Sequence, residues 1–88
     1  MQITSWYTRN FEDRLKGRYI TINHILPILD HYREIFNVSA AGFSETGVEI
    51  PLVSFGQGGK KVLIWSQMHG NESTTTKALF DFFKFITL

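Results

Sequence analysis

From Lys60 to Phe83 the chain reads K-K-V-L-I-W-S-Q-M-H-G-N-E-S-T-T-T-K-A-L-F-D-F-F. Val62 to Trp65 is an unbroken run of strand-forming apolar residues, and a helical pattern begins only after His69, Gly70, Asn71 and Glu72. The predicted order is strand, short turn, helix, with an imidazole and a carboxylate in the turn. In open α/β sheets, ligands and reacting groups collect at the carboxyl ends of strands, where the chain leaves the sheet and helix N-termini point inward. His69 and Glu72 occupy that place, so this stretch sets the expected fold class, α/β, and the place to look for chemistry.

Upstream, Val48 to Phe55 reads as a second strand with Val48, Ile50 and Leu52 on one face. Pro51 has no N–H for the ladder, which points to an edge strand. Gly56 to Gly59 is too short for a parallel crossover, so this strand and the one beginning at Lys61 are expected to pair antiparallel. Ala40 to Gly47 carries turn chemistry in Gly42, Ser44, Thr46 and Gly47. Before it, Ile25, Leu26, Ile28, Leu29, Tyr32, Ile35 and Phe36 recur at helical spacing, predicting a helix from an Asn23 cap to Asn37 with Pro27 near its start.

Residues 1–18 read as an N-terminal extension with a short helix capped by Asn10, favoured by Glu12 and Asp13 and stopped at Gly17. Residues 19–88 read as the N-terminal portion of a mixed-sheet α/β/α domain: helix, antiparallel strand pair, helix. In the last helix Phe80, Phe83 and Ile86 form a stripe that Phe82, Phe85 and Leu88 widen until little polar surface remains. A helix apolar nearly all round belongs inside a larger body, and so does an apolar strand that expects a neighbour on each side. The chain is therefore expected to be incomplete on its own. Thr74 to Thr76 are poor helix formers, so something other than propensity selects them.

At 88 residues this is one small unit, burying only about 60–65 % of the surface its unfolded chain exposes. Its 43 % apolar and 15 % aromatic content is that of a globular protein. A formal charge of +1 gives no electrostatic case for nucleic acid or an anionic membrane. With no cysteine, thiolate metal sites and disulfides are excluded. No bilayer-length apolar stretch and no signal-peptide order are found, which favours a cytoplasmic product.

An imidazole nitrogen and a carboxylate oxygen are both ordinary zinc ligands, at about 2.0–2.2 Å, and a bend between His69 and Glu72 would bring both onto one ion. Gly70 and Asn71 suit such a bend. On spacing alone the plainer account is favoured, with Glu72 complementing a helix dipole and His69 ending a strand. The longer segment V-L-I-W-S-Q-M-H-G-N-E-S-T-T-T-K-A-L, however, resembles the first metal-binding motif of the zinc carboxypeptidases in its bacterial form, H-G-N-E after a buried strand and before a helix. The edge strand S-E-T-G-V-E-I-P-L-V-S-F precedes it in the family's order, and the resemblance runs over about three quarters of the chain, from Tyr19 to Ile86. One departure is Gln67, where many members carry a small residue.

The resemblance implies a zinc-dependent metallocarboxypeptidase that hydrolyses C-terminal peptide bonds with zinc-activated water. It carries over at two positions, His69 and Glu72, as the family's first two zinc ligands; Asn71 belongs to the motif without a role. The family's third ligand, its general base and its substrate-binding arginines lie beyond Leu88, so this chain alone is expected to have little or no peptidase activity and weak zinc binding. His24 and His31, about 10 Å apart on a helix, are unsuited to share an ion. A related reading is a zinc amidohydrolase that deacylates N-acyl amino acids. A different class is a non-catalytic remnant or interaction module whose exposed sheet pairs with another polypeptide, and exposed apolar surface also suits self-association.

Overall fold

The structure, a computed structural model, describes residues 2–87. Its elements are helix α1 (Ile3–Asn10), helix α2 (Ile22–Tyr32), strands β1 (Asn37–Phe43) and β2 (Glu49–Ser54), and helix α3 (Thr74–Ile86). The expected mixed α/β sequence of helix, antiparallel pair and helix is present, though the pair is not the one predicted. β1 and β2 form the sheet, with Asn37 opposite Ser54, Phe43 opposite Glu49, and a bulge between Ala40 and Gly42.

The turn lies at Ser44–Val48, where Ser44 N–H donates to the Val48 carbonyl at 2.8 Å and Gly47 takes φ +81°. Ala40 to Phe43 is therefore strand, not turn. Closing a hairpin over so short a loop costs little chain entropy, and it engages all of β2. Val62 to Trp65 is left outside the sheet, with exposures of 81, 72, 58 and 61 %. The predicted buried strand is thus an exposed segment, because no flanking strand among the described residues is there to pair with it.

α2 is capped two residues earlier than the expected Asn23. Thr21 is its N-cap, and a capping box closes with His24 in place of the usual glutamate: the Thr21 N–H donates to His24 Nδ1 at 2.9 Å. Pro27 lies inside the helix and withholds the bond to the Asn23 carbonyl. The helix ends at Tyr32, a tight turn follows in which Ile35 and Phe36 N–H donate to the Tyr32 carbonyl, and Asn37 opens β1 instead of ending the helix.

The first helix also lies earlier than predicted. Asn10 terminates α1, its side-chain amide donating back to the Trp6 carbonyl at 2.9 Å. Residues 11–18 then run without a helix along α3, fastened by a polar stripe on that helix. Ser73 Oγ donates to the Arg18 carbonyl at 2.7 Å, Lys77 Nζ to Gly17 at 3.0 Å, Lys84 Nζ to Phe11 at 3.2 Å, and Asp81 accepts from the Glu12 N–H at 2.7 Å. Positions 73, 77, 81 and 84 share one helical face. Trp6 closes the arrangement edge-on against Phe85, ring centroids 5.1 Å apart.

The core lies between α2 and α3. Ile28, Leu29 and Tyr32 from α2 meet Phe80 and Phe83 from α3, with Leu15, Ile20 and Phe36 completing the cluster. The hairpin docks by Val53 and by Phe55, whose ring sits 4.7 Å from that of Phe36. Phe82 and Phe85 remain half exposed, so α3 buries one face and not its whole circumference; Leu88 lies outside the described residues. The radius of gyration, 13.7 Å against about 12 Å for a close-packed domain of this length, reflects the projecting hairpin and the 56–65 segment. Among the described residues no helix is long and apolar enough to cross a membrane.

Candidate metal centre

The turn from Ser66 to Ser73 joins the exposed segment to α3. Its first anchor is buried: Thr76, on the inner face of α3 and 2 % exposed, donates its hydroxyl to Gln67 Oε1 at 2.8 Å and stands 2.7 Å from Ser66 Oγ. Because that one hydroxyl proton goes to Gln67, Ser66 is the donor to Thr76. Gln67 Nε2 then donates to the Ile20 carbonyl at 2.6 Å and to the Gly70 carbonyl at 2.9 Å. This polar cluster accounts for at least one of the consecutive threonines: Thr76 is kept for its hydroxyl. The second anchor is Ser73, which precedes α3 and is held to Arg18. α3 starts at Thr74, so Asn71 and Glu72 lie in the turn, ahead of the helix.

Between the anchors the chain reverses, with the Glu72 N–H donating to the His69 carbonyl at 3.0 Å. That reversal brings the two side chains together. His69 Nδ1 lies 3.1 Å from Glu72 Oε1, and both side chains are 70 % exposed. A carboxylate only accepts, so Nδ1 carries the proton in this pair. Two zinc ligands at about 2.0–2.2 Å, seen from a tetrahedral ion, stand roughly 3.4 Å apart. The observed separation is close to that edge, so replacing the shared proton by a cation needs only a small rotation. The donor set, one imidazole nitrogen and one carboxylate oxygen, fits two corners of a zinc site.

Comparisons with known protein families, with curated proteins and with solved structures found no match. The local geometry therefore stands by itself.

Among the described residues no third histidine or acidic side chain joins the pair in a metal-binding group. His24 is engaged in the α2 capping box, and His31 lies edge-on to the Tyr32 ring at 5.0 Å. Beside Glu72 an open cavity of about 420 Å³ is lined entirely by polar residues, among them Arg18, Asn71 and Lys77. Its Lys77 ammonium is partly committed to the Gly17 carbonyl.

Elsewhere, Glu12 is 2 % exposed and grips Arg14 through both oxygens, Oε2 to Nε at 2.9 Å and Oε1 to the terminal nitrogen at 2.6 Å. Burial pushes the Glu12 carboxyl up, but the hydrogen bonds and charge of Arg14, with the charge of Lys84, outweigh it and hold the group below its ordinary value. Glu12 was expected in the first turn of a helix and is instead a structural ion pair; spacing gave no sign of it. Burial, and then the Glu12 charge, push the Tyr32 hydroxyl up.

Proposed function

We propose that His69 and Glu72 are two of the ligands of a zinc-dependent hydrolase of metallocarboxypeptidase type. The observation that supports this reading is the 3.1 Å approach of His69 Nδ1 to Glu72 Oε1 in an exposed turn directly before a helix. Zinc bound there would supply Lewis acidity and a water molecule of pKa about 7. This chain's own part is narrower. To bind a metal, His69 would present the Nδ1 lone pair with its ring proton on Nε2, Glu72 would balance charge, and the turn already sets the two side chains 3.1 Å apart. The polar cavity beside Glu72 leaves room for a small polar ligand within reach of Arg18.

Titrating the 88-residue chain with zinc while following His69 and Glu72 resonances tests the proposal. Both should shift together, and His69→Ala or Glu72→Ala should each weaken binding at least about tenfold, roughly 1.4 kcal/mol. Equal zinc affinity in the wild type and both variants would refute it.

A second reading, association of this chain with a second copy of itself, is favoured by the consecutive exposed side chains of Val62, Leu63, Ile64 and Trp65. Ile64→Lys is then expected to reduce the sedimenting mass at high concentration without lowering the melting temperature, because residue 64 already faces water. A wild type that sediments as a monomer throughout leaves this reading without support.

A further inference from the structure

His69 and Glu72 are too exposed for their own packing to fix their separation, so what sets it must lie in the backbone of the turn. That backbone has one unusual residue. Gln67 takes φ +56°, left-handed territory in which a residue with a side chain persists only where its surroundings over-determine it. The surroundings do so through the amide. Nε2 donates both hydrogens, to Ile20 ahead of α2 and to Gly70 within the turn, while Oε1 accepts from Thr76 of α3. Two of the attachment points are buried, Ile20 at 3 % exposure and Thr76 at 2 %.

We infer that Gln67 is the positioning residue of the His69–Glu72 pair. By tying Gly70 to the buried Ile20 and to α3 it fixes the chain on the far side of His69, and the ring is left facing the carboxylate. The functional meaning rests on the proposed metal site; the positioning rests on geometry alone. The side chain is specific to the task. Glutamate has the same shape but would set a carboxylate oxygen against two carbonyls, asparagine is one methylene short of the same span, and glycine would tolerate the backbone angle but tie nothing.

The test uses the full 88-residue chain as wild type, Gln67→Ala, Gln67→Glu and Thr76→Ser, with two readouts. Amide hydrogen exchange at Glu72, whose N–H donates to the His69 carbonyl, is expected in metal-free protein to speed up about tenfold in both Gln67 variants and to stay near wild type in Thr76→Ser, which keeps the hydroxyl. Zinc affinity read at His69 is expected to fall about 10–100-fold in the same two variants, the usual effect of removing a group that orients a ligand. Unchanged exchange in Gln67→Ala, or wild-type behaviour of Gln67→Glu, overturns the inference whatever zinc does. A wild type that binds zinc no better than His69→Ala sinks the metal reading instead, and the exchange comparison still decides the role of Gln67. Should Gln67→Ala fail to fold, the contrast between Thr76→Ser and Thr76→Val at the same amide carries the test.

Discussion

Replacing Tyr32 by alanine is expected to remove about 3–5 kcal/mol of folding stability, the usual cost of deleting a buried aromatic ring. Tyr32 is 1 % exposed and touches every other ring of the core, stacked on Phe36 at 5.6 Å, edge-on to Phe83 at 5.6 Å and tilted against Phe80 at 6.4 Å. A chain of 88 residues has only about 4–13 kcal/mol in total, so Tyr32→Ala should forfeit from about a quarter to all of it. Tyr32→Phe keeps the ring and should retain most of the stability. Phe85→Ala gives the contrast: Phe85 is half exposed and loses chiefly its contact with Trp6, worth about 1 kcal/mol. Urea unfolding of the three variants measures the difference, and a Tyr32→Ala variant more stable than Phe85→Ala would place the core elsewhere.

Helical periodicity made α2 and α3 legible, since Ile28, Leu29 and Tyr32, and again Phe80 and Phe83, are the residues that become buried. Helix ends were less so. Thr21 with His24 is a capping box written with an unusual partner, and Asn10 closes a helix by bonding backwards, where its residue type equally suits an N-cap. β2 alternates and was readable, whereas β1 is made of Asn, Ser, Ala and Gly as much as of strand formers, and its bulge at Ala41 breaks the pattern. The apolar run at Val62 to Trp65 misled for a physical reason: hydrophobicity says a segment wants burial, not that the chain supplies the burial.

At the candidate centre, the spacing H-x-x-E made a turn joining His69 and Glu72 legible, and the two side chains do meet, 3.1 Å apart. The part of Gln67 was not legible. It stood out only as a departure from the small residue of similar motifs, and its partners, Ile20 and Thr76, come from distant positions that no local pattern connects. The same holds for the stripe from Ser73 to Lys84, whose polar residues look like a solvated helix face until residues 11–18 are seen lying on it. One link does run from fold to site: Ser73 and Thr76 anchor the turn on either side of the start of α3, so loosening the segment at Arg18 also loosens the frame of Glu72.

Arg14→Ala is expected to be among the most damaging surface changes, costing about 3 kcal/mol at pH 7, although the Arg14 side chain is 47 % exposed. The asymmetry of the pair explains this. Removing Glu12 leaves a guanidinium that can turn to water, whereas removing Arg14 strands a carboxylate that is 1 % exposed, with Lys84 as the remaining compensating charge. The figure is at the low end of the range for broken buried pairs because solvent screens the exposed partner. The pH dependence should weaken as well. In the wild type the Glu12 carboxyl sits below its ordinary 4.5, so its contribution is complete above that value and is lost as pH falls through the lower, folded-state one. Without the Arg14 side chain, burial is opposed only by the residue 14 N–H and the charge of Lys84, so the carboxyl rises relative to wild type and acidification through that window costs the variant less. Urea unfolding at pH 7 and pH 5 should therefore show Arg14→Ala gaining relative to wild type on acidification, and the Glu12→Gln/Arg14→Ala double variant should lose the effect. Parallel pH profiles for Arg14→Ala and wild type would mean that Glu12 is solvated and that the segment before α2 is held by the α3 stripe alone.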